Sequence, residues 1–181
     1  MRRPIATLAI ALTALPGMAQ AAEPPCLTAA EFTDLASYGL PSVITGATQR
    51  CAAALPAGAW LLRNGGQLSA RYAASKAAAW PGAKAAFLKM SSAGGQEASG
   101  LIKGLPDTTL QAMLDGVIEG MVGQRLPTAR CATVDRVVRL LAPLPPENTA
   151  ELIALAAGLG SKASGAGAGD IKAGGFRLCP A

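Results

Sequence analysis

The 181-residue sequence predicts an all-α, disulfide-stapled domain of about six to eight short helices with a Gly/Ala-rich carboxyl-terminal tail. Apolar residues recur at helical spacing in several segments, and no segment shows the alternation typical of strands. Hydrophobic residues make up 51% of the chain but aromatic residues only 4%, so alanine, a strong helix former, supplies much of the apolar content. The four cysteines, an even number, favour two disulfides.

The amino terminus has the features of a cleaved secretory signal peptide over residues 1–21. Two arginines begin it, an uncharged apolar run follows, and Ala19-Gln20-Ala21 supplies the small residues that a signal peptidase reads. We therefore expect a periplasmic or secreted protein. The mature chain divides into a helical domain over 22–160 and a flexible Gly/Ala/Ser-rich tail over 161–181 that Cys179 anchors.

The first mature helix has an explicit start signal. Thr28 as N-cap, with Glu31 three residues later, forms a capping box, and Leu27 with Phe32 forms a hydrophobic staple. Gly39 is suited to end this helix and Pro41 to begin the next. The sequence therefore predicts a helical hairpin made of helices 28–39 and 41–53.

That hairpin predicts the disulfide pairing. Two antiparallel helices of similar length bring Cys26, before the first, beside Cys51, near the end of the second. Cys131 lies just before a predicted helix over 133–142, and the tail has the length to bring Cys179 back to it. We therefore expect Cys26 to pair with Cys51 and Cys131 with Cys179.

The middle of the chain predicts helices separated by glycine and proline. We expect a short apolar turn over 60–62, a loop over 64–66, and helices over 67–79 and 82–91, with Trp80-Pro81 as the break. A weak stretch follows around Gly94, Gly95 and Gly100. Near the carboxyl end, Asn148 or Thr149 caps a helix that carries Leu152, Leu155, Ala156 and Leu159 at heptad-like spacing, and Gly158 and Gly160 end it.

The clearest periodicity lies in a helix that Asp107 or Thr108 begins. It carries one apolar stripe: Leu110, Met113, Leu114, Val117, Ile118, Met121 and Val122. Gln111, Asp115 and Glu119 form its wet side. Gly116 and Gly120, four residues apart, permit close approach of another helix, either within the chain or from a second copy. The expected state is a monomer or a weak homodimer.

Catalysis has little support in this sequence. The chain has no histidine, which excludes Ser-His-Asp and Cys-His sites and histidine-ligated zinc. Asp115 and Glu119 are a carboxylate pair at i, i+4, but acid–base or metal chemistry needs a third partner and burial. We expect no enzyme activity, no cofactor and no metal.

One short string resembles a known active site. Tyr72 and Lys76 have the Y-x-x-x-K spacing of the short-chain dehydrogenases, in which the lysine lowers the pKa of the catalytic tyrosine. That family also needs an upstream glycine-rich nucleotide-binding unit. Only residues 22–71 of the expected mature chain precede Tyr72, and they lack that motif. We interpret the string as a chance match in an alanine-rich helix.

A basic run is the remaining candidate site. Arg125, Arg130, Arg136 and Arg139 could bind an anionic envelope polymer or lipid. The formal net charge of +5 is too small to indicate nucleic acid. We therefore expect an exported, non-catalytic envelope protein that binds a protein or an envelope component. The alternative is a helical carrier of a small apolar ligand or lipid, in which Met113 and Met121 line a cavity.

Overall fold

The computed structural model describes residues 26–92, 96–163 and 177–179. The predicted signal peptide, and the predicted tail from residue 164 to residue 176, lie outside these ranges. Seven α-helices and two disulfides in the described ranges confirm the predicted all-α, disulfide-stapled class.

The helices follow one another with short connections. They are α1 (Ala29–Cys51), α2 (Trp60–Ala73), α3 (Lys76–Ser92), α4 (Gln96–Lys103), α5 (Asp107–Arg125), α6 (Cys131–Leu141) and α7 (Pro146–Ala163), with a 3-10 turn at Thr128–Arg130. Two short strands that the sequence did not predict, β1 (Cys26–Leu27) and β2 (Arg177–Leu178), pair in parallel and join the first and last described segments. Strands of two residues are too short to show the alternation by which strands are recognised.

Helix α1 is the central element, and it packs against α2, α3, α5 and α7. The predicted hairpin is wrong, because α1 continues as one 23-residue helix through Gly39 and Pro41. A Cβ at Gly39 would lie 2.9 Å from Cδ1 of Ile118 in α5, so this glycine makes room for a neighbouring helix and does not end its own. Pro41 is buried, and packing on all sides keeps the chain helical despite the missing amide hydrogen.

The predicted start of α1 is confirmed. The amide of Glu31 donates to Oγ1 of Thr28 at 3.2 Å, and the amide of Thr28 donates to a carboxylate oxygen of Glu31 at 2.8 Å. Both halves of the capping box are therefore formed.

The predicted boundaries of α2 and α3 are wrong. Helix α2 runs through Asn64, Gly65 and Gly66, where the sequence predicts a loop. A Cβ at Gly65 would lie 2.5 Å from Oγ1 of Thr48 in α1, so glycine at this position permits close packing of the two helices and does not mark a loop. The break falls at residues 74–75, and α3 continues through Pro81.

The buried side chains form two clusters along α1. One joins α1 to α2, α6 and α7 and contains Ile44, Cys51, Leu61, Leu68, Tyr72, Cys131 and Ala150. The other joins α1 to α3 and α5 and contains Tyr38, Trp80, Ala83, Leu110 and Leu114. The chain therefore folds around one long helix whose two sides carry separate apolar contacts.

The last three helices are present with shifted ends. Neither Asp107 nor Thr108 caps α5, because both lie inside the helix. Helix α6 begins at Cys131, two residues before the expected start. Helix α7 begins at Pro146, where the absent amide hydrogen costs nothing, and it continues past Gly158 and Gly160.

Two of the regularly spaced leucines of α7 do not face the core. Thr149, Ala150 and Ile153 face the core, whereas Leu152 and Leu155 are exposed. The side chain of Leu159 lies outside the described set.

The disulfides join Cys26 to Cys179 and Cys51 to Cys131, so the predicted pairing is wrong. Helix α1 spans about 35 Å at 1.5 Å per residue, which places Cys26 and Cys51 at opposite ends of a rod. A disulfide needs Cα atoms within about 7 Å. One bond therefore ties the residue before α1 to the last described residue, and the other ties the end of α1 to the start of α6.

Candidate anionic-surface binding site

Helix α6 lies at the surface, and its inner side is held in three ways. Its first residue, Cys131, is bonded to Cys51, and Val134 and Val138 pack against the larger core cluster. Asp135 accepts a hydrogen bond from the amide of Leu61 at 2.6 Å, so it caps the start of α2. These contacts fix which face of α6 meets the solvent.

Three arginines lie near the amino-terminal end of α6. Arg50 and Arg130 each precede a cysteine of the buried disulfide, whose Cα atoms are 5.5 Å apart. Nε of Arg50 donates to the carbonyl oxygen of Leu126 at 3.0 Å, which places it beside Arg125 in the chain. All three side chains are exposed. The sequence gives no hint of Arg50 as part of this group, because its place depends on a disulfide pairing that spacing alone does not show.

Two further arginines lie on α6 itself. Arg136 and Arg139 are exposed, and so are two apolar neighbours on the same helix, Val137 at 45% and Leu140 at 70%. We call Arg50, Arg125, Arg130, Arg136 and Arg139 the arginine surface, and Val137 and Leu140 the apolar pair. The structure thus places all four predicted arginines at the surface and adds a fifth.

The arginine surface keeps its charge. The three ion pairs within the described ranges all use lysines of α3: Lys76 with Asp115, Lys84 with Asp107 and Lys89 with Glu31. None of the five arginines pairs with a carboxylate within the described ranges. The nearest acidic residue in sequence, Asp135, is used to cap α2. The three lysines of α3 are thus paired with carboxylates, whereas the five arginines are not paired with any carboxylate of the described residues.

One acidic residue of α5, Asp115, has a structural role. Asp115 accepts hydrogen bonds from Nζ of Lys76 at 2.6 and 2.7 Å and from Oγ of Ser42 at 2.8 Å, so it joins α5 to α3 and α1. The prediction that Asp115 lies on a wet face is wrong, because it is partly buried in this contact. Glu119 takes no part in it.

Tyr38 lies against this ion pair. Nζ of Lys76 lies 4.3 Å from the centroid of the Tyr38 ring, a cation–π distance. Burial, and then the nearby carboxylate of Asp115, raise the pKa of Tyr38 to about 12. Its hydroxyl is therefore neutral at physiological pH and is no candidate for a base.

The tyrosine and lysine of the dehydrogenase-like string do not act together. The hydroxyl of Tyr72 is buried and bonds the carbonyl oxygen of Leu144 at 3.0 Å and the Thr149 hydroxyl at 3.2 Å. Lys76 instead binds Asp115 in α5. The two side chains thus serve different helix contacts. The residues the structure describes also bring together no group of three metal-ligating side chains.

The described grooves are shallow. One, of about 430 Å³, lies between α1 and α7 and is lined mainly by Ala29, Phe32, Ala154 and Leu155. Another, of about 550 Å³, lies between α2 and the end of α6, beside Trp60 and Arg71. Met113 and Met121 are on the outer side of α5 and line neither groove.

No family model, no curated protein and no solved structure matches this chain. Over the residues described, no helix combines the length and the hydropathy needed to cross a bilayer.

Proposed function

We propose that this protein is an exported, non-catalytic protein of the cell envelope that binds anionic lipid surfaces through helix α6. The observation that carries the proposal is the arginine surface, five exposed cations without a carboxylate partner in the described residues. The export step rests on the signal-peptide pattern of residues 1–21.

The apolar pair favours a lipid surface over a soluble polymer. A helix that lies on a membrane places cations at the headgroups and apolar side chains at the acyl boundary. Arg136 and Arg139 share the exposed side of α6 with Val137 and Leu140, so both kinds of side chain are available to such a surface. A sugar polymer would use the cations, but it would gain nothing from a leucine that is 70% exposed.

Binding to vesicles tests the proposal. Mature protein with intact disulfides is sedimented with phosphatidylglycerol-containing vesicles and with pure phosphatidylcholine vesicles. We expect binding only to the first, and we expect it to weaken as salt screens the charges. Each arginine near an anionic surface contributes about 1 kcal/mol, so Arg136→Gln with Arg139→Gln should weaken binding about 25-fold.

A matched pair of lysines controls for net charge. Lys84→Gln with Lys103→Gln removes the same formal charge from α3 and α4, and it should weaken binding much less. An equal loss in both double variants would show that only net charge matters, and this would overturn a site on α6. Leu140→Ser distinguishes the two kinds of ligand: it should weaken vesicle binding and leave retention on a soluble polyanion unchanged.

The groove between α1 and α7 supports the second candidate, a carrier of a small apolar ligand. Its walls are mainly apolar, and its volume of about 430 Å³ falls in the range of small-molecule sites. Native mass spectrometry of protein purified from its exported fraction tests this candidate. A co-purifying lipid of fixed mass that Ala154→Trp displaces would support a carrier, and a bare protein mass would contradict it.

A further inference from the structure

A stripe of polar and aromatic side chains on α2 lines the groove beside the end of α6. The stripe consists of Trp60, Asn64, Gln67 and Arg71. Their spacing of i, i+4, i+7 and i+11 places them on one face of the helix, over about 16 Å of its length. An indole, two carboxamides and a guanidinium along one groove suit a ligand that has both apolar and hydrogen-bonding parts.

Two of these side chains are held in place by the protein itself. The guanidinium of Arg71 donates to the carbonyl oxygen of Ala142, and its Cζ lies 5.5 Å from the centroid of the Tyr72 ring. Nδ2 of Asn64 donates to the carbonyl oxygen of Trp60 at 2.9 Å. Each side chain has further polar atoms beyond those used in these bonds. The groove therefore offers hydrogen-bonding groups that are oriented before a ligand binds.

Trp60 differs from the other tryptophan of the chain in what its indole does. Trp80 is buried, and its Nε1 donates to a carboxylate oxygen of Asp107 at 2.9 Å. Trp60 packs against the larger core cluster but is only partly buried, and its Nε1 bonds no group in the described part of the chain. Its indole is therefore available to a ligand that lies in the groove.

The lining disfavours charged ligands and purely apolar ones. Among the described residues that line the groove there is no carboxylate, and the one cation, Arg71, already bonds a backbone oxygen. A hydrocarbon chain would cover the carboxamides of Asn64 and Gln67 without bonding them, and a covered polar group without a partner is costly. The groove therefore suits a neutral ligand that is rich in polar groups.

We infer that this groove binds a neutral oligosaccharide. A sugar ring has C–H groups on its faces and hydroxyls around its edge, so the faces can pack on the indole of Trp60 while the hydroxyls bond the polar side chains. A hydroxyl both donates and accepts hydrogen bonds, and the carboxamides of Asn64 and Gln67 do the same. The groove is shallow and longer than one sugar ring, so it accommodates several units of a sugar chain.

Nitrogen–proton NMR of the mature, oxidised protein tests the inference by titration with maltotetraose, cellotetraose and chitotetraose. The two tryptophans give two indole resonances, and Trp60→Phe assigns them. We expect at least one sugar to shift the Trp60 resonance saturably, with a dissociation constant on the order of 1 mM for so open a groove, and to leave the Trp80 resonance in place. Because the sugars are neutral, added salt should not change the titration.

Ala70→Leu separates binding from folding. Ala70 is exposed and lines the groove, so leucine fills the groove without entering the core, and leucine is a good helix former. The variant should keep the wild-type unfolding midpoint and lose the shift of the Trp60 resonance. Ala73→Leu makes the same change at an exposed position of α2 that does not line the groove, and it should bind as the wild type does.

Gln67→Ala tests the hydrogen bonds. Gln67 is exposed, so its loss should not affect folding, and removal of its hydrogen bonds to the sugar should weaken binding about fivefold. Gln124→Ala is the matched control, because Gln124 is exposed on α5 and does not line the groove. Equal affinities of these two variants would show that the polar stripe does not contact the sugar.

Other outcomes would overturn the inference directly. They are the absence of any Trp60 shift with all of the sugars at about 20 mM, and a shift that Ala70→Leu retains. Tetraalanine is titrated in the same way, and a shift with this peptide but with none of the sugars would assign the groove to peptides. Arg136→Gln with Arg139→Gln should bind sugar as the wild type does, since neither residue lines the groove, so the result is independent of vesicle binding.

Discussion

Single side chains in this protein act mainly by joining helices. Asp115 is the clearest case, since one carboxylate binds Lys76 of α3 and Ser42 of α1. Glu31 has a similar double role: it completes the capping box of α1 and pairs with Lys89 at 2.7 Å. Lys89, and then the amide of Thr28, hold the pKa of Glu31 below its ordinary value of 4.5.

The lowered pKa of Glu31 predicts a pH dependence of stability. A carboxylate with a lower pKa in the folded state stabilises the fold above its unfolded pKa, and that contribution is lost as pH falls through the folded value. Urea unfolding of Glu31→Gln should therefore show a loss of about 0.5–1 kcal/mol at pH 7, because the pair is partly exposed. This difference from wild type should begin to shrink near pH 4.5 and vanish at lower pH.

Glutamine keeps the cap and removes only the charge, because either residue completes a capping box. Glu147→Gln serves as the control, since Glu147 is exposed and makes no ion pair with the described residues. If Glu31→Gln and wild type differ equally at pH 7 and pH 3, the Lys89 pair does not contribute to folding.

At the scale of elements, periodicity and caps locate helices well, and glycine locates their ends poorly. The stripe from Leu110 to Val122 and the capping box at Thr28 predict α5 and the start of α1. Gly39 and Gly65 instead lie inside helices, because each makes room for a neighbour. The sequence cannot distinguish a glycine that ends a helix from one that permits packing, since the difference depends on the partner helix.

The start of α2 shows that sequence-based prediction of caps has the same limit: the capping group can come from a distant helix. Its N-cap residue, Ala59, offers no side-chain acceptor. Asp135 of α6 supplies one to the amide of Leu61, 74 positions before it in the chain. A local pattern cannot reveal such a cap. The same holds for Arg50, which joins the arginine surface only through the fold. The four other arginines were predictable because they lie close together in the sequence.

Removing the distant cap should destabilise the protein. Asp135→Ala should lower the free energy of unfolding by about 1–2 kcal/mol, because the amide of Leu61 loses its partner at a buried helix start. Asp135→Asn keeps an oxygen acceptor and should recover part of that loss. Denaturant unfolding measures both, and equal stability of Asp135→Ala and wild type would show that this hydrogen bond is not formed in solution.

At the scale of the whole molecule, the two disulfides determine how the chain is closed. Residue counts and spacing predict two bonds, but the pairing depends on whether α1 is one helix or two. Because α1 is a single rod, Cys51 reaches Cys131 across 80 residues and Cys26 reaches Cys179 across 153. The first bond lies in the core and holds α6 in place, and the second fastens the segments that carry β1 and β2 to each other.

These positions predict which disulfide matters more for stability. Chain entropy alone gives the longer loop an advantage of about 0.6 kcal/mol, so it ranks Cys26–Cys179 first. Cys51 and Cys131, however, are fully buried in the larger core cluster, and their removal leaves a cavity as well as an open loop. We therefore expect Cys51→Ala with Cys131→Ala to cost more than Cys26→Ala with Cys179→Ala, by about 1–2 kcal/mol in denaturant unfolding.

Each variant removes both partners of one bond, so no free thiol is left to exchange with the other. The reverse order would mean that loop closure outweighs packing. Peptide mapping of the variant that lacks Cys51 and Cys131 should recover Cys26 linked to Cys179. A Cys26–Cys51 link in the wild-type protein would contradict the single helix α1 and support a hairpin.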